Sequence, residues 1–449
     1  MTELKRVLNL WKAVMFGLGV ILGAGIYVVI GRTAAFAGSY IWLSIFIAGL
    51  IAFFTGLSYA ELAGMYPKAS SSYYYIRKAI PTRESIAFIV GWMIFFEAVS
   101  GASTASTGFA KYFLELFQTP PNIPQNMALM LIAIVVVVTF SIVNFIGINE
   151  SSKLNILFTL IGASGLVLVI TIGFMLGRTM PDYLDPPPMG WVGILNGAAL
   201  IFFAYVGFEL MATTSEETID AKRTMPKAII IALSICGALY IMISLSVLRL
   251  LPWQLLAISG APMADAVGTI LGSGGWYLLS IIALFATSNS TLGFLISSSR
   301  IAYGMAKEGI IHAKLSSVHN IRKTPHYAII LTCAVAIFEI IISSLIGIDF
   351  ALDIVAKASN LGCLIAFIFV NSAVILLRKS QVERSFKIPF STFGVPIFPV
   401  LGALLSVVLI ALAFHETIVW LITTVILSLG FIVKKRQIKK NAKDSELNE

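Results

Sequence analysis

Two short stretches carry residue types that could hold a small polar molecule. The first is Gly23-Ala24-Gly25-Ile26, inside an apolar segment that also has glycines at 17, 19 and 31. The second is Phe203-Ala204-Tyr205-Val206-Gly207, where aromatic residues flank a glycine. Each interior glycine costs a helix about 1 kcal/mol relative to alanine. In hydrocarbon nothing outside the protein can satisfy the N–H and C=O groups that an opened helix frees. A break is therefore expected only where it faces a cavity holding something polar. A half-helix that starts in the membrane offers N–H donors with partial positive charge, which suit a carboxylate. One that ends there offers carbonyls, which suit an ammonium group. Glycines at 23 and 25 let a ligand approach the backbone with no Cβ in the way. Alone, a G-x-G in an apolar helix is a packing motif. With a second break it reads as a site for the two poles of a zwitterionic α-amino acid.

Around these stretches lie ionisable and polar residues that an apolar segment rarely tolerates. Glu97 and Glu209 sit at bilayer depth, where a carboxylate is paired or functional. For Glu97 both readings stand, and Glu209 either caps the helix after the second break or carries a proton or cation selectivity. Thr287-Ser288-Asn289-Ser290-Thr291 is a run of five polar residues. Hydroxyls can bond their own backbone, but five together favour a cavity or ion path, so Ser288, Asn289 and Ser290 join the candidates. Ser100 to Gly108 is small and polar, fit for close packing or a cavity wall. Glu61 reads as an interfacial charge paired with Lys or Arg, with a gate as the alternative, and Glu339 has no evident companion.

The elements that position these residues follow from composition. The chain has 449 residues, is 58% hydrophobic and only 12% charged, and its mean hydropathy is +0.93. That lies far outside the range of soluble domains. A spanning helix needs about 20 mainly apolar residues. Windows of that size give twelve candidates, at 13–37, 41–65, 86–113, 127–147, 154–176, 192–213, 227–250, 276–304, 327–346, 354–377, 396–413 and 416–433. The fold class is an all-α polytopic membrane protein in the lipid bilayer.

The net charge of +9 is an orientation signal and not a nucleic-acid footprint. With the N-terminus inside, the inner loops collect all Lys and Arg except Arg32, Lys111, Arg178, Arg249 and Lys357. Short-loop Lys and Arg mark the cytoplasmic side, so both termini are expected there, in a multi-pass protein of the cell membrane. Cys236, Cys333 and Cys363 all fall in apolar spans and read as small core residues. His312, His319, His326 and His415 fall in loops, which removes haem or zinc ligation by histidine at membrane depth. No metal site, catalytic constellation or cofactor is read, and the first apolar run is too long for a cleavable signal.

The second break opens the second half of the chain as the first opens the whole, with span six antiparallel to span one. Paired broken helices at corresponding places point to a transporter site between inverted repeats. Residue-level similarity between the halves is not seen. A transport core is expected over 1–380, appended helices over 381–433, and a charged, disordered cytoplasmic tail over 434–449. Proline-rich outer loops are expected at Thr119-Pro120-Pro121 to Pro124 and at Pro181 to Pro188.

In family order along nearly the whole chain, the motifs resemble the amino acid–polyamine–organocation (APC) transporter superfamily. They are Gly19-Val20-Ile21-Leu22-Gly23-Ala24-Gly25-Ile26-Tyr27, Leu57-Ser58-Tyr59-Ala60-Glu61-Leu62, Tyr66-Pro67-Lys68-Ala69, Tyr73 to Arg77, Gly91-Trp92 and Gly147-Ile148-Asn149-Glu150-Ser151. Later come Tyr205-Val206-Gly207-Phe208-Glu209, Glu216-Glu217 to Pro226, Ser299-Arg300 with Tyr303-Gly304-Met305-Ala306, and Phe386-Lys387-Ile388-Pro389. The resemblance implies a LeuT-like 5+5 inverted repeat with two additional C-terminal transmembrane helices, twelve in all. It implies that backbone N–H groups of Ala24, Gly25 and Ile26 bind a substrate carboxylate. Carbonyls near Phe203, Ala204 and Val206 would take the amino group, and Phe203 would gate the site. Some proton-coupled members carry a lysine in the fifth helix; Thr159 to Ser164 has none, and Lys153 lies nearer its cytoplasmic end. The expected activity is amino-acid transport by alternating access, coupled to H+ or Na+ or run as exchange. Carriage of polyamines or other organic cations is the alternative, then a channel or a non-transporting sensor.

Overall fold

The computed structural model describes residues 3–118, 122–413 and 417–446; Thr119, Pro120, Pro121 and His415 lie outside them. Among the described residues, sixteen α-helices are joined by short 3-10 turns and one hairpin of two-residue strands, Ser391–Thr392 against Val395–Pro396. In chain order the helices are α1 (Leu10–Ile21), α2 (Ala24–Ala37), α3 (Ile41–Met65), α4 (Ser71–Ala79), α5 (Glu84–Phe117), α6 (Gln125–Ile146), α7 (Ile148–Leu176) and α8 (Gly190–Ile201). They continue with α9 (Phe208–Met211), α10 (Ala221–Leu250), α11 (Trp253–Ile258), α12 (Pro262–Lys307), α13 (His326–Ile346), α14 (Ile348–Leu376), α15 (Ile397–Ala413) and α16 (Thr417–Glu446).

Among the described residues, ten apolar segments are long enough to cross a membrane, the first taking in α1 to α3, and Ile397–Ala411 is a shorter one. The protein is a polytopic, all-helical membrane protein. Several boundaries differ from the sequence windows. His326 opens a helix instead of lying in a loop. α12 begins at Pro262 and kinks at Gly272, whose φ of +64° a side chain would strain. α16 runs on to Glu446, where a disordered tail was expected.

Both expected breaks are present. α1 ends at Ile21, Leu22 and Gly23 leave the helix, and α2 restarts at Ala24. The second opening runs from a 3-10 turn at Phe202–Ala204 to Gly207, whose φ is +128°. These breaks sit at the centre of the bundle. α2 packs on α8, α3 on α10, α5 on α12, and α6 on α13. Lipid-facing residues such as Val135, Leu157 and Ile330 remain exposed, as a helix bathed in hydrocarbon allows.

One likeness between the halves escaped the sequence reading. α6 and α7 meet at the single residue Gly147 (φ +151°), and α13 and α14 meet at Gly347 (φ +115°). The flanking residues are Ile146 and Ile148 in one joint, Ile346 and Ile348 in the other. Each joint turns a helix without a loop, which a positive φ at glycine permits.

Candidate functional site

The two breaks face one another. A Cβ placed on Gly25 would lie 2.3 Å from Ala204 Cα and 2.9 Å from its backbone N. A Cβ on Gly207 would lie 2.7 Å from the Val20 side chain and 3.3 Å from that of Ile21. Gly25 and Ile26 thus belong to the first turn of α2, where N–H groups have no intrahelical acceptor. Phe203 lies beside them, stacked on Phe294 of α12 with ring centroids 6.4 Å apart.

Tyr240 of α10, which the sequence reading passed over, ties the breaks together. Its hydroxyl sits 2.6 Å from the Ile21 carbonyl and 3.0 Å from the Ala204 carbonyl. The hydroxyl has one proton to share between these two carbonyls, one from each half of the chain, and the Ile21 carbonyl also accepts from the Gly23 N–H at 2.8 Å. Only its lone phenol in an apolar helix could have signalled it. Tyr205 turns away from the opening, its hydroxyl donating to the Ile45 carbonyl at 3.2 Å.

The polar run in α12 divides into two roles. Thr287 and Thr291 donate to the carbonyls of Ala283 (2.8 Å) and Thr287 (2.9 Å), one turn back in their own helix. Asn289 and Ser290 reach across. The Ser290 hydroxyl donates to the Val20 carbonyl at 2.9 Å, and a Cβ on Gly23 would lie 1.7 Å from its oxygen. Asn289 bonds the Thr159 hydroxyl at 2.8 Å and accepts from Asn155 at 2.8 Å, both on α7. These three amides and hydroxyls pack around Gly19, which needs its missing side chain for that reason. Ser288, between them in sequence, is buried and makes no comparable bridge among the described residues.

Glu97 and Glu209 come together, which the sequence did not show. With Cys363 of α14 they place ligand atoms within 4.8 Å of one another. Gly207 N–H donates to Glu209 Oε1 at 2.9 Å, so the carboxylate also fixes the second break. Glu61 and Glu339 each have partners. Glu61 is held by Arg378 at 2.7 Å, Arg384 at 3.0 Å and the Ile388 N–H at 2.8 Å. Glu339 accepts from Ser100 at 3.1 Å and Ser103 at 2.8 Å.

Arg300, counted above among the loop cations, is instead fully buried in α12 and forms a two-pronged pair with Glu217 at 2.9 and 3.0 Å. Asn144 accepts from the same guanidinium at 2.5 Å. The backbone carbonyl of Glu217 accepts from the N–H groups of Val7 and Leu8, so the N-terminal segment closes over this pair.

An amino acid permease family model matches residues 8–442. The chain belongs to that family, within the APC superfamily. Among its relatives, the branched-chain amino acid permease BcaP of Bacillus subtilis is 31% identical, over 98% of this chain and 95% of that one. The methylthioribose transporter of the same organism is 30% identical over 89% and 87%. The vacuolar cationic amino acid transporter 4 of Arabidopsis thaliana is 30% identical over 84% of this chain and 64% of its own length. The permease is a membrane transporter, not an enzyme. Its motifs fall where the geometry has a use for them: the glycines at the first break, Tyr205 to Glu209 at the second, and Ser299-Arg300 at the buried pair.

Proposed function

We propose that the permease moves an amino acid across the cell membrane by alternating access, with both termini cytoplasmic. The observation that carries this is the apposition of the two breaks at Gly25 and Ala204. The substrate carboxylate would take the N–H groups of Ala24, Gly25 and Ile26 at the start of α2. Its ammonium would take carbonyls at the Phe203 to Val206 turn. Tyr240 already occupies one lone pair of the Ala204 carbonyl, which shifts the weight of that contact to Phe203 and Val206. Phe203, stacked on Phe294, would cover the site.

The architecture we assign is twelve crossings, a 5+5 inverted repeat followed by α15 and α16. Its support is that corresponding helices of the two halves pack on each other: break on break, α3 on α10, α5 on α12, α6 on α13. The glycine joints at 147 and 347 add to it. Transport would be driven by H+ or Na+, or run as exchange, with Glu97, Glu209 and the α12 polar residues as coupling candidates.

The relatives named for branched-chain and cationic amino acids define the panel to test. Purified permease in proteoliposomes is expected to accumulate at least one amino acid, saturably, under an imposed pH or Na+ gradient applied separately. Equilibration without accumulation or counterflow would favour a channel, and no flux with retained binding would favour a sensor.

A further inference from the structure

We propose that Glu97, Glu209 and Cys363 form a binding site for a zinc-like divalent metal ion. Their ligand atoms lie within 4.8 Å of one another, and all three residues are buried. Both oxygens of Glu97 and Oε2 of Glu209 have no hydrogen-bond partner among the described residues, although the two side chains are 1% and 0% exposed. Carboxylates without a partner at that depth must be neutralised, by a proton or by a bound cation. The three residues come from three elements whose packing is independently fixed. Ser359, one turn before Cys363 on α14, donates to the Glu97 carbonyl of α5 at 3.5 Å. Phe367, one turn after Cys363, packs on Phe208 of α9 at 5.2 Å.

The donor set chooses the class of ion. Two carboxylates neutralise one divalent ion, and the thiolate as third ligand leaves the site with one negative charge. Hard ions such as Mg2+ and Ca2+ take all-oxygen shells, whereas a thiolate favours zinc and its heavier congeners. Zinc bonds of about 2.0–2.3 Å at tetrahedral angles set ligand atoms roughly 3.3–3.8 Å apart, a spacing that lies inside the 4.8 Å that bounds these three. On binding, the Cys363 S–H bond breaks, the sulfur keeps the electron pair and forms the metal–sulfur bond, and the proton leaves to solvent. Because Glu209 also accepts the Gly207 N–H, a bound ion would pin the second break to α5 and α14.

The experiment titrates Cd2+, a spectroscopic stand-in for zinc, into substrate-free, full-length permease in detergent. The ultraviolet cadmium–thiolate band is expected to saturate at one ion per chain. It should vanish in Cys363→Ala, persist in the Cys236→Ala/Cys333→Ala double variant, and need at least tenfold more Cd2+ in Glu97→Gln and in Glu209→Gln. Zn2+ should displace Cd2+, while excess Mg2+ or Ca2+ should not. Monodispersity on size exclusion checks that each variant is folded. No band, a band that survives Cys363→Ala, or unchanged affinity in both glutamine variants overturns the site; ready displacement by Ca2+ overturns the ion class. Amino-acid uptake with any of these results would leave the transport reading standing, so the two fail separately.

Discussion

Gly25 lies so close to Ala204 that a methyl group on its Cα would fall 2.3 Å from the Ala204 Cα. No real Cβ tolerates that approach, and the atom it meets is backbone, which cannot swing aside. Gly25→Ala should therefore push the two breaks apart, at the 1–3 kcal/mol typical of overpacking, or about five- to 150-fold in any equilibrium that needs them together. Gly25→Val should abolish substrate binding. Equilibrium binding of the transported amino acid to detergent-purified variants checks this, with size exclusion as the folding control. Wild-type affinity in Gly25→Val would sink the carboxylate site.

Tyr240→Phe removes one oxygen and leaves the ring. The Ile21 and Ala204 carbonyls then lose their shared donor, at about 1 kcal/mol for a net hydrogen bond, or roughly fivefold in a conformational equilibrium. Uptake kinetics are expected to change by about that factor with the protein still monodisperse. Because the hydroxyl bridges both breaks, the effect should appear in the turnover rate as well as in apparent affinity. Unchanged kinetics would make the bridge incidental.

Both breaks were legible in the sequence because glycine clusters and aromatic flanks are local signals, and unpaired backbone in hydrocarbon has few explanations. What those breaks touch was not legible. Tyr240, Asn155 and Arg300 act through contacts between helices distant in the chain, and helical periodicity says which face a residue occupies, not which neighbour it meets. Glu97 and Glu209 were each singled out as costly charges, yet only packing showed that they share one place with Cys363. Arg300 was misread outright: a cation near a span's end looks interfacial until its partner, Glu217, is seen buried with it. Glu61 is the paired charge that its position predicts, since Lys and Arg crowd that end of the bundle and Arg378 and Arg384 hold it.

Glu209→Gln keeps the acceptor for the Gly207 N–H and removes the charge. Transport in this variant is expected to lose at least tenfold of its dependence on the imposed pH or Na+ gradient, with exchange flux less affected. Glu339→Gln is the matched control. Its carboxylate meets the hydroxyls of Ser100 and Ser103, which an amide can also satisfy, so gradient dependence should stay within about twofold. Equal behaviour of the two variants would return Glu209 to a structural role.

Arg300 and Glu217 form a fully buried ion pair in which each charge depends on the other. Removing one partner leaves the other charged and unsolvated, a loss of about 3–5 kcal/mol. Arg300→Ala and Glu217→Ala should each lower Tm sharply in a thermal-shift measurement. Arg300→Met/Glu217→Met, which removes both charges and keeps bulk, should recover most of that loss, because apolar replacement of a buried pair is often neutral. The N-terminal segment is bonded to the Glu217 backbone through Val7 and Leu8. Deleting residues 1–8 should also lower Tm, since it removes these backbone bonds together with the buried side chains of Leu4 and Leu8. A double variant as unstable as the single ones would show that Asn144 and Ser299, which also contact the guanidinium, need the charge itself.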